Sequence, residues 1–493
     1  MQQKSNIKIN LSGGLVSPTR LLTLLKIAQW AGVEAVNFGA RQQLLMFVHP
    51  REMELFSKKM SEEGIDFETV MDTFPNISSS YSFAELFPTA TEGWVSEGMY
   101  LDIFSTFDYK PTLKINISDA TQSHAPLFTG HLNFISSDVP HYWFCYIRLP
   151  KTNQIERFPN LIYTHDIAHF AKQVEVQVAK DATQNRFYTE GLIMREIQND
   201  LEIPRFVMPY YEGINILSSG KLWLGMYRRD DHFPINFLIE MCQFCNETRI
   251  GNIGISHWRS LVIKGIEKKD RFKWEKLLGK HGINVRHANN ELNWQTEDDA
   301  PEGAVLKHYL VKKLDKLDLR TFGLVFAIKT RHKSEVFGSV IIRREPFMKI
   351  GTWEFDAFGL LASYNIFYAQ DFNPHTRKRK TFRLGVPKSR LADEILLLSK
   401  KFYKELTAEK KSTKVVAEKK TQLIDTQTPL IHRCQDCWTV YNVNFGTDTD
   451  LSRANREGVA FDDLSADFEC PTCSAPKSRF ELIKESQLLD LHH

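Results

Sequence analysis

Apolar positions at the start of the chain follow two rhythms. NIKINLSGGLV (6–16) reads as a strand opening into a turn. From Pro18 to Trp30, the spacing of Leu21, Leu22, Leu24, Leu25 and Ile27 predicts an amphipathic helix. Ser17 offers a capping hydroxyl, and Pro18 sits at the first helical position, where its missing N–H costs nothing. Gly32 stops the helix. VEAVNF (33–38) and LLMFV (44–48) then read as strands, and Pro50 starts a second helix through about Gly64, with Met53, Leu55, Phe56 and Met60 on one face. This β-α-β-β-α order predicts an α+β sandwich with helices over one sheet face.

The same order returns more than two hundred residues later. RRDDHFP (228–234) leads into the helical run INFLIEMCQFCNET (235–248), followed by strand candidates NIGISHW (252–258) and SLVIKGI (260–266) and the helix RFKWEKLLGKHG (271–282). Length and order are preserved better than residue identity, which points to an internal duplication. Each copy precedes a longer mixed α/β stretch. The first holds KPTLKINIS (110–118), an edge-like polar loop DATQSH (119–124), GHLNFISS and YWFCYIRLP (142–150). The second holds LRTFGLVFAIKT (319–330), SEVFGSVIIRR (334–344) and a helix from about Lys388 to Glu405. Beyond it, TAEKKSTKVVAEKKTQLIDTQTP (407–429) has almost nothing to bury and reads as a solvated tether with room for transient helix.

Bulk properties narrow the class. A chain of 493 residues needs several cores. The opening MQQKSNIKINLSGG lacks the apolar stretch of a secretion signal and no run has the length of a membrane helix, so a cytoplasmic protein without membrane partners is expected. Net charge is only +3, but it is unevenly spread: residues 430–493 sum to −5, leaving +8 for the rest. An acidic terminal module can sample a basic partner surface, with an encounter rate that falls as salt rises. The Lys-rich tether lacks an aromatic platform, and nucleic acid is not the expected partner. There is no P-loop and no dinucleotide glycine fingerprint.

Cysteine placement carries the chemistry. Seven cysteines in so long a chain do not form a disulfide scaffold, yet four lie in two short elements, CQDC (434–437) and CPTC (470–473). Paired CxxC turns can bring Cys434, Cys437, Cys470 and Cys473 onto one tetrahedral ion, and tetrahedral sulfur ligation selects zinc or iron. Cys145, flanked by Trp143, Phe144 and Tyr146, reads as core, and Cys242 and Cys245 as reduced thiols on one face of a helix.

Around the paired CxxC elements stand Tyr441, Phe445-Gly446, Asp448, Asp450, Gly458, Phe461-Asp462-Asp463-Leu464, Phe468, Pro471, Lys477 and Phe480. This frame, over roughly 431–485, resembles the rubredoxin family. The resemblance implies one iron ion, cycling between Fe3+ and Fe2+ on the four cysteines, and one-electron transfer, with a zinc-stabilised interaction module as the alternative. Two positions depart from the family. Trp438 and Ser474 stand where a glycine often follows the second cysteine of each knuckle, so any φ > 0 there must be borne by a side chain.

The duplicated segments, beginning with GGLVSPTRLLTLLKIAQWAGVEAVNFGARQQLLMF, resemble the ferredoxin-like half-domain of nitrite and sulfite reductases, and the segments with LKINIS and GHLNF resemble its sirohaem/iron–sulfur companion. By that resemblance Arg41, Arg259 and Lys114 are the candidate cofactor or anion contacts, since guanidinium grips carboxylates and oxyanions bidentately. PNISSSY (75–81) has serines in the region where the family's cysteine would be sought, and neither companion segment supplies four cysteines. Sirohaem and [4Fe–4S] are therefore not expected, nor is conventional sulfite or nitrite reduction, and no catalytic residue is assigned. The RRDDHF cluster reads as a capping and salt-bridge group.

The expected fold is α+β, with duplicated nitrite/sulfite-reductase-like α/β sandwich units followed by a small rubredoxin-like metal-binding domain. The divisions are 1–70 and 221–298 as ferredoxin-like half-domains, 71–220 and 299–405 as companion domains, 406–429 as a Lys-rich linker, and 430–493 as the metal module. The expected electron partner is a redox protein or the chain's own reductase-like region.

Overall fold

In the computed structural model, the described residues are all except 1–4, 70–72, 88–92, 150–153, 181–186, 188, 207, 209–210, 286–290, 292, 299, 320, 332–335, 347, 351–352, 356–361, 422–429, 438, 443–445, 448–459, 471–472 and 485–493. They form two compact units, Met1–Tyr403 and Lys404–His493.

In the first unit, helices α1 (Pro18–Trp30) and α2 (Met53–Glu62) pack on a four-stranded antiparallel sheet ordered Ser5–Ile9, Leu44–Val48, Ala35–Phe38, Phe233–Pro234. Ser17 caps α1 by accepting the Arg20 N–H at 3.2 Å, and Leu21, Leu24, Leu25 and Ile27 are buried as their spacing predicts. The second copy builds a five-stranded sheet ordered Gly213–Ile216, Leu222–Met226, Leu261–Ile266, Ile253–Ile255, Leu15–Val16. Its sequence supplies α5 (Ile235–Glu247) and α6 (Arg271–Lys280).

The copies exchange strands. Leu15–Val16 of the first pairs with Ile253–Ile255 of the second, and Phe233–Pro234 of the second pairs with Ala35–Phe38 of the first. Helices α1 and α5 pack together, and one apolar core runs through both copies, from Ile7 and Leu25 to Met241 and Trp274. Because each copy completes the other's sheet edge, neither leaves that row of backbone groups bare.

The companion segments repeat a second pattern. Ser78–Ser79, Ile115–Ser118 and Leu132–Ser136 run parallel, and Tyr142–Ile147 then adds antiparallel. Trp294–Gln295, Phe326–Lys329 and Val340–Glu345 likewise run parallel before Ser363–Ala369 adds antiparallel. Helices α3 (Glu97–Ser105) and α4 (Ile167–Lys180) belong to the first segment, α7 (Pro301–Lys316) and α8 (Leu391–Thr421) to the second. The duplication seen in the apolar pattern is thus present in the topology. The fold is mixed α/β over this unit, followed by a small domain whose strands Leu430–Cys434, Val440–Asn442, Gly446–Thr447 and Phe480–Lys484 form one sheet.

Two expectations are corrected. The stretch after Glu405 continues as helix to Thr421, because 388–428 contains no Gly or Pro and is rich in Lys, Glu and Ala, all good helix formers. The remaining tether positions, 422–429, lie outside the described residues. The polar loop 119–124 is not an exposed edge, since Gln122, Ser123 and His124 are buried. Its polarity is spent inward: Gln122 Oε1 accepts the N–H groups of His124 and Ala125 at 2.6 and 2.9 Å, and Asp119 Oδ1 accepts that of Thr121 at 2.9 Å.

At the junction of the first copy with its companion, Gly13 has φ of 66°, donates to Ile77 O at 2.8 Å and accepts from Ser79 Oγ at 2.6 Å. A Cβ on Gly13 would fall 1.9 Å from the Phe104 ring. Gly13→Ala is therefore expected to lower stability by about 1–3 kcal/mol, read as an earlier chemical-denaturation midpoint. An unshifted midpoint would show that the ring swings clear.

Candidate metal centre

The strand Leu430–Cys434 lies between Val440–Asn442 and Phe480–Lys484, and Cys434 ends it, so the first knuckle turns outward from a fixed sheet. The Cys434 N–H donates to Thr439 O at 2.9 Å across the turn. The second knuckle repeats this bond, with the Cys470 N–H donating to Ala475 O at 2.7 Å. In each turn the backbone N–H of that same residue points back to the second cysteine: Thr439 to Cys437 and Ala475 to Cys473. The two knuckles thus share one hydrogen-bond pattern.

This pattern brings four sulfurs to one point. The Sγ atoms of Cys434, Cys437, Cys470 and Cys473 all lie within 4.8 Å of one another, with Cys434–Cys473 at 3.7 Å and Cys437–Cys470 at 3.4 Å. A tetrahedron with metal–sulfur bonds of about 2.3 Å has edges of about 3.8 Å, so the donor set fits one tetrahedral ion. Cys434 and Cys470 are buried, Cys437 is half-buried and Cys473 is exposed, so one edge of the site faces solvent.

The electrostatics agree. The Thr439 hydroxyl, 3.1 Å from Cys437 Sγ, lowers that thiol to about 6, assisted by the Thr439 N–H and the neighbouring thiols. The Cys473 thiol is lowered by the Ala475 N–H, yet the clustered thiols outweigh it and raise the group to about 12. Thiols this close cannot all ionise without a cation among them.

Below the sulfurs lies a small core of Tyr441, Phe461, Leu464 and Phe468 with Phe480 packed against it. His432 stacks on Phe461 with ring centroids 4.0 Å apart. Lys477 donates to Asp462 O at 2.9 Å and Leu464 O at 2.8 Å, tying the Phe461 turn to the second knuckle. Arg479 Nη2 meets Asp436 Oδ1 at 2.6 Å, joining the turn before the last strand to the first knuckle.

Residues 431–480 match the Rubredoxin family model. The rubredoxin domain and its clustered cysteines support a metal ion and electron-transfer chemistry. Ser474 has φ of 57°, so the left-handed geometry after the second cysteine is held with a side chain. Trp438, Phe445, Asp448, Asp450, Gly458 and Pro471 of the rubredoxin frame lie outside the described residues.

Over most of the chain the fold is similar to a solved structure of the Mycobacterium tuberculosis NirA protein, with a TM-score of 0.56, 12% identity and coverage of 79% of each chain. In that region Arg41 donates to Asn76 O at 2.8 Å, Ile115 O at 3.0 Å and Asn116 Oδ1 at 3.2 Å. Arg259 meets Asp231 at 3.1 Å, Asp298 at 2.9 Å and Thr296 O at 2.7 Å. Lys114 is half-buried, and its carbonyl accepts the N–H groups of His131 and Leu132. Among the described residues the candidate metal group is Cys434, Cys437, Cys470 and Cys473.

The RRDDHF segment is an ion-pair cluster. Arg228 lies 3.7 Å from Asp230, Arg229 reaches Glu291 at 2.7 Å, Asp231 also faces Lys307 at 3.6 Å, and His232 Nδ1 meets Asn37 Oδ1 at 2.6 Å. Cys145, Cys242 and Cys245 are buried, and desolvation raises all three thiols, Cys242 to about 12, which keeps them neutral. With only these three cysteines before residue 430, the donor set does not fit a four-thiolate cluster in this region.

The serines of PNISSSY form a buried polar layer. Ser78 Oγ meets His257 Nε2 at 2.5 Å, Ser79 Oγ donates to Gly13 O, and Ser80 Oγ meets the Tyr100 hydroxyl at 2.6 Å. The side chains that the motif spacing did not single out are Thr439 and the Asp436–Arg479 pair. Their signal was position alone, a hydroxyl two residues beyond a ligand and opposite charges on the two elements that meet.

Two predictions follow from these groups. Burial, then the Arg41 guanidinium, pushes His257 down to about 3, and burial pushes His375 down to about 4 against its bond to Ser123 O. An unfolded histidine takes its proton near about 6.5. Between that pH and about 4 the unfolded chain binds more protons at these two sites, so their contribution to stability falls as pH falls through this window and is constant above it. Denaturation midpoints at pH 7 and pH 5 should differ in that sense, and His257→Gln should reduce the difference. Ser474→Gly should raise the unfolding free energy of the small domain by about 1 kcal/mol, read as a later denaturation midpoint, with metal content per chain unchanged.

Proposed function

We propose that residues 430–493 carry single electrons through one iron ion held by Cys434, Cys437, Cys470 and Cys473. The convergence of four sulfurs on two matching knuckles, within 4.8 Å of one another, is the observation that carries this reading. Bound there, iron would supply a one-electron change of valence while its four ligands stay in place. The chain's own part is to hold the four sulfurs in one geometry around the ion, to keep water from Cys434 and Cys470, and to leave the Cys437 and Cys473 edge within reach of a partner. Four protein ligands leave no open coordination position, so hydrolysis or oxygen activation at this ion is disfavoured.

Exposed Asp436, Asp462, Asp463, Asp467 and Glu469 surround this domain's surface and favour a redox partner with a basic face. The NirA-like fold of the large region supports a redox setting in which that region receives electrons or organises the encounter. Any anion or cofactor contact by Arg41, Lys114 or Arg259 would have to compete with the internal partners that Arg41 and Arg259 already hold.

Stepwise chemical reduction and reoxidation of the full-length protein under anaerobic conditions tests the proposal. A visible absorption change that reverses and accounts for one electron per chain is expected, and Cys470→Ser should abolish it. A protein that holds zinc alone and shows no reversible change would be a zinc-stabilised interaction module instead.

A further inference from the structure

The described residues of the two knuckles share their backbone hydrogen bonds but not their side chains. Cys434 and Cys470 each donate N–H to the residue five positions on, Thr439 in one turn and Ala475 in the other. Those residues each direct an N–H at the second cysteine of their own turn. Only Thr439 adds a hydroxyl, whose Oγ1 lies 3.1 Å from Cys437 Sγ, while the equivalent Ala475 offers a buried methyl.

With a free thiol, either the sulfur or the hydroxyl could donate across this contact. A thiolate bound to a metal has no proton, so on the loaded site the hydroxyl is the donor and the sulfur the acceptor. The backbone of Thr439 is pinned by its carbonyl bond from Cys434, which keeps the hydroxyl near its target. Cys437 is half-buried and Cys473 exposed, so water competes less for the sulfur that receives the extra bond.

Adding one electron makes a complex of iron and four thiolates one unit more negative. A fixed donor aimed at a thiolate stabilises the more negative state more strongly, and hydrogen bonds to sulfur are among the levers that set such potentials. We propose that the Thr439 hydroxyl donates to the metal-bound Cys437 sulfur and thereby raises the reduction potential of the centre, a positioning and tuning role that Ala475 does not share. This rests on the electron-transfer reading above, because it concerns the same four-cysteine site.

The test is the midpoint potential of the full-length, iron-loaded protein, measured by spectroelectrochemistry for wild type, Thr439→Val and Thr439→Ser. Valine keeps the shape and removes the hydroxyl, and serine restores it. At the wild-type midpoint, T439V should show an oxidised-to-reduced ratio about three- to tenfold higher, tenfold being about 59 mV for one electron. T439S should stay within about twofold of wild type. Equal potentials for wild type and T439V, or a T439S shift as large as that of T439V, would overturn the role of the hydroxyl while leaving the electron-transfer reading intact. A wild-type protein with no reversible iron signal would overturn both.

Discussion

Four sulfurs gathered at one point are unstable as anions and incomplete as thiols, and the small domain is organised around that conflict. A cation placed among them removes the repulsion and replaces weak thiol contacts with bonds. Among the described residues the apolar cluster beneath them is Tyr441, Phe461, Leu464, Phe468 and Phe480, and metal–sulfur bonds add to what that packing supplies. The same ligation therefore joins the first strand to the last segment and defines the chemistry. Structure and site chemistry are not separable here, since whatever loosens the knuckles also changes the field at the sulfurs.

The large unit follows a different logic. Its two copies lend each other short strands, and its core passes through both, so packing rather than a metal holds it. Side chains suited to gripping anions are engaged within the chain. Arg41 staples the 76 and 115–116 segments to the first copy, and Arg259 bridges Asp231 to the 296–298 turn. Breaking either set would strand a guanidinium or a carboxylate in a poorly hydrated place, where an unpaired charge is costly. Among the described residues, no helix is long and apolar enough to cross a membrane.

Elements with strong local signals were legible in the sequence. Pro18–Trp30 has a cap, a proline at its first position and a clean period, and Leu44–Val48 is a compact apolar run; both appear at their expected bounds. The paired CxxC frame was legible for the same reason, because ligand chemistry fixes the spacing. The exchanged strands were not, since Leu15–Val16 and Phe233–Pro234 have two residues each and no period to read. The buried 119–124 loop misled because polar residues bond main chain as readily as water. The Thr439 contact depends on how a turn closes, which no spacing rule contains.

X-ray absorption on the purified full-length protein, scanned at the iron and zinc edges, puts the central claim to its most direct test. The account predicts an iron edge and one shell of four sulfur neighbours at about 2.3 Å, lost in a Cys434→Ser variant as oxygen or nitrogen enters the shell. A zinc edge without iron, or a metal whose neighbours are not four sulfurs, would contradict it.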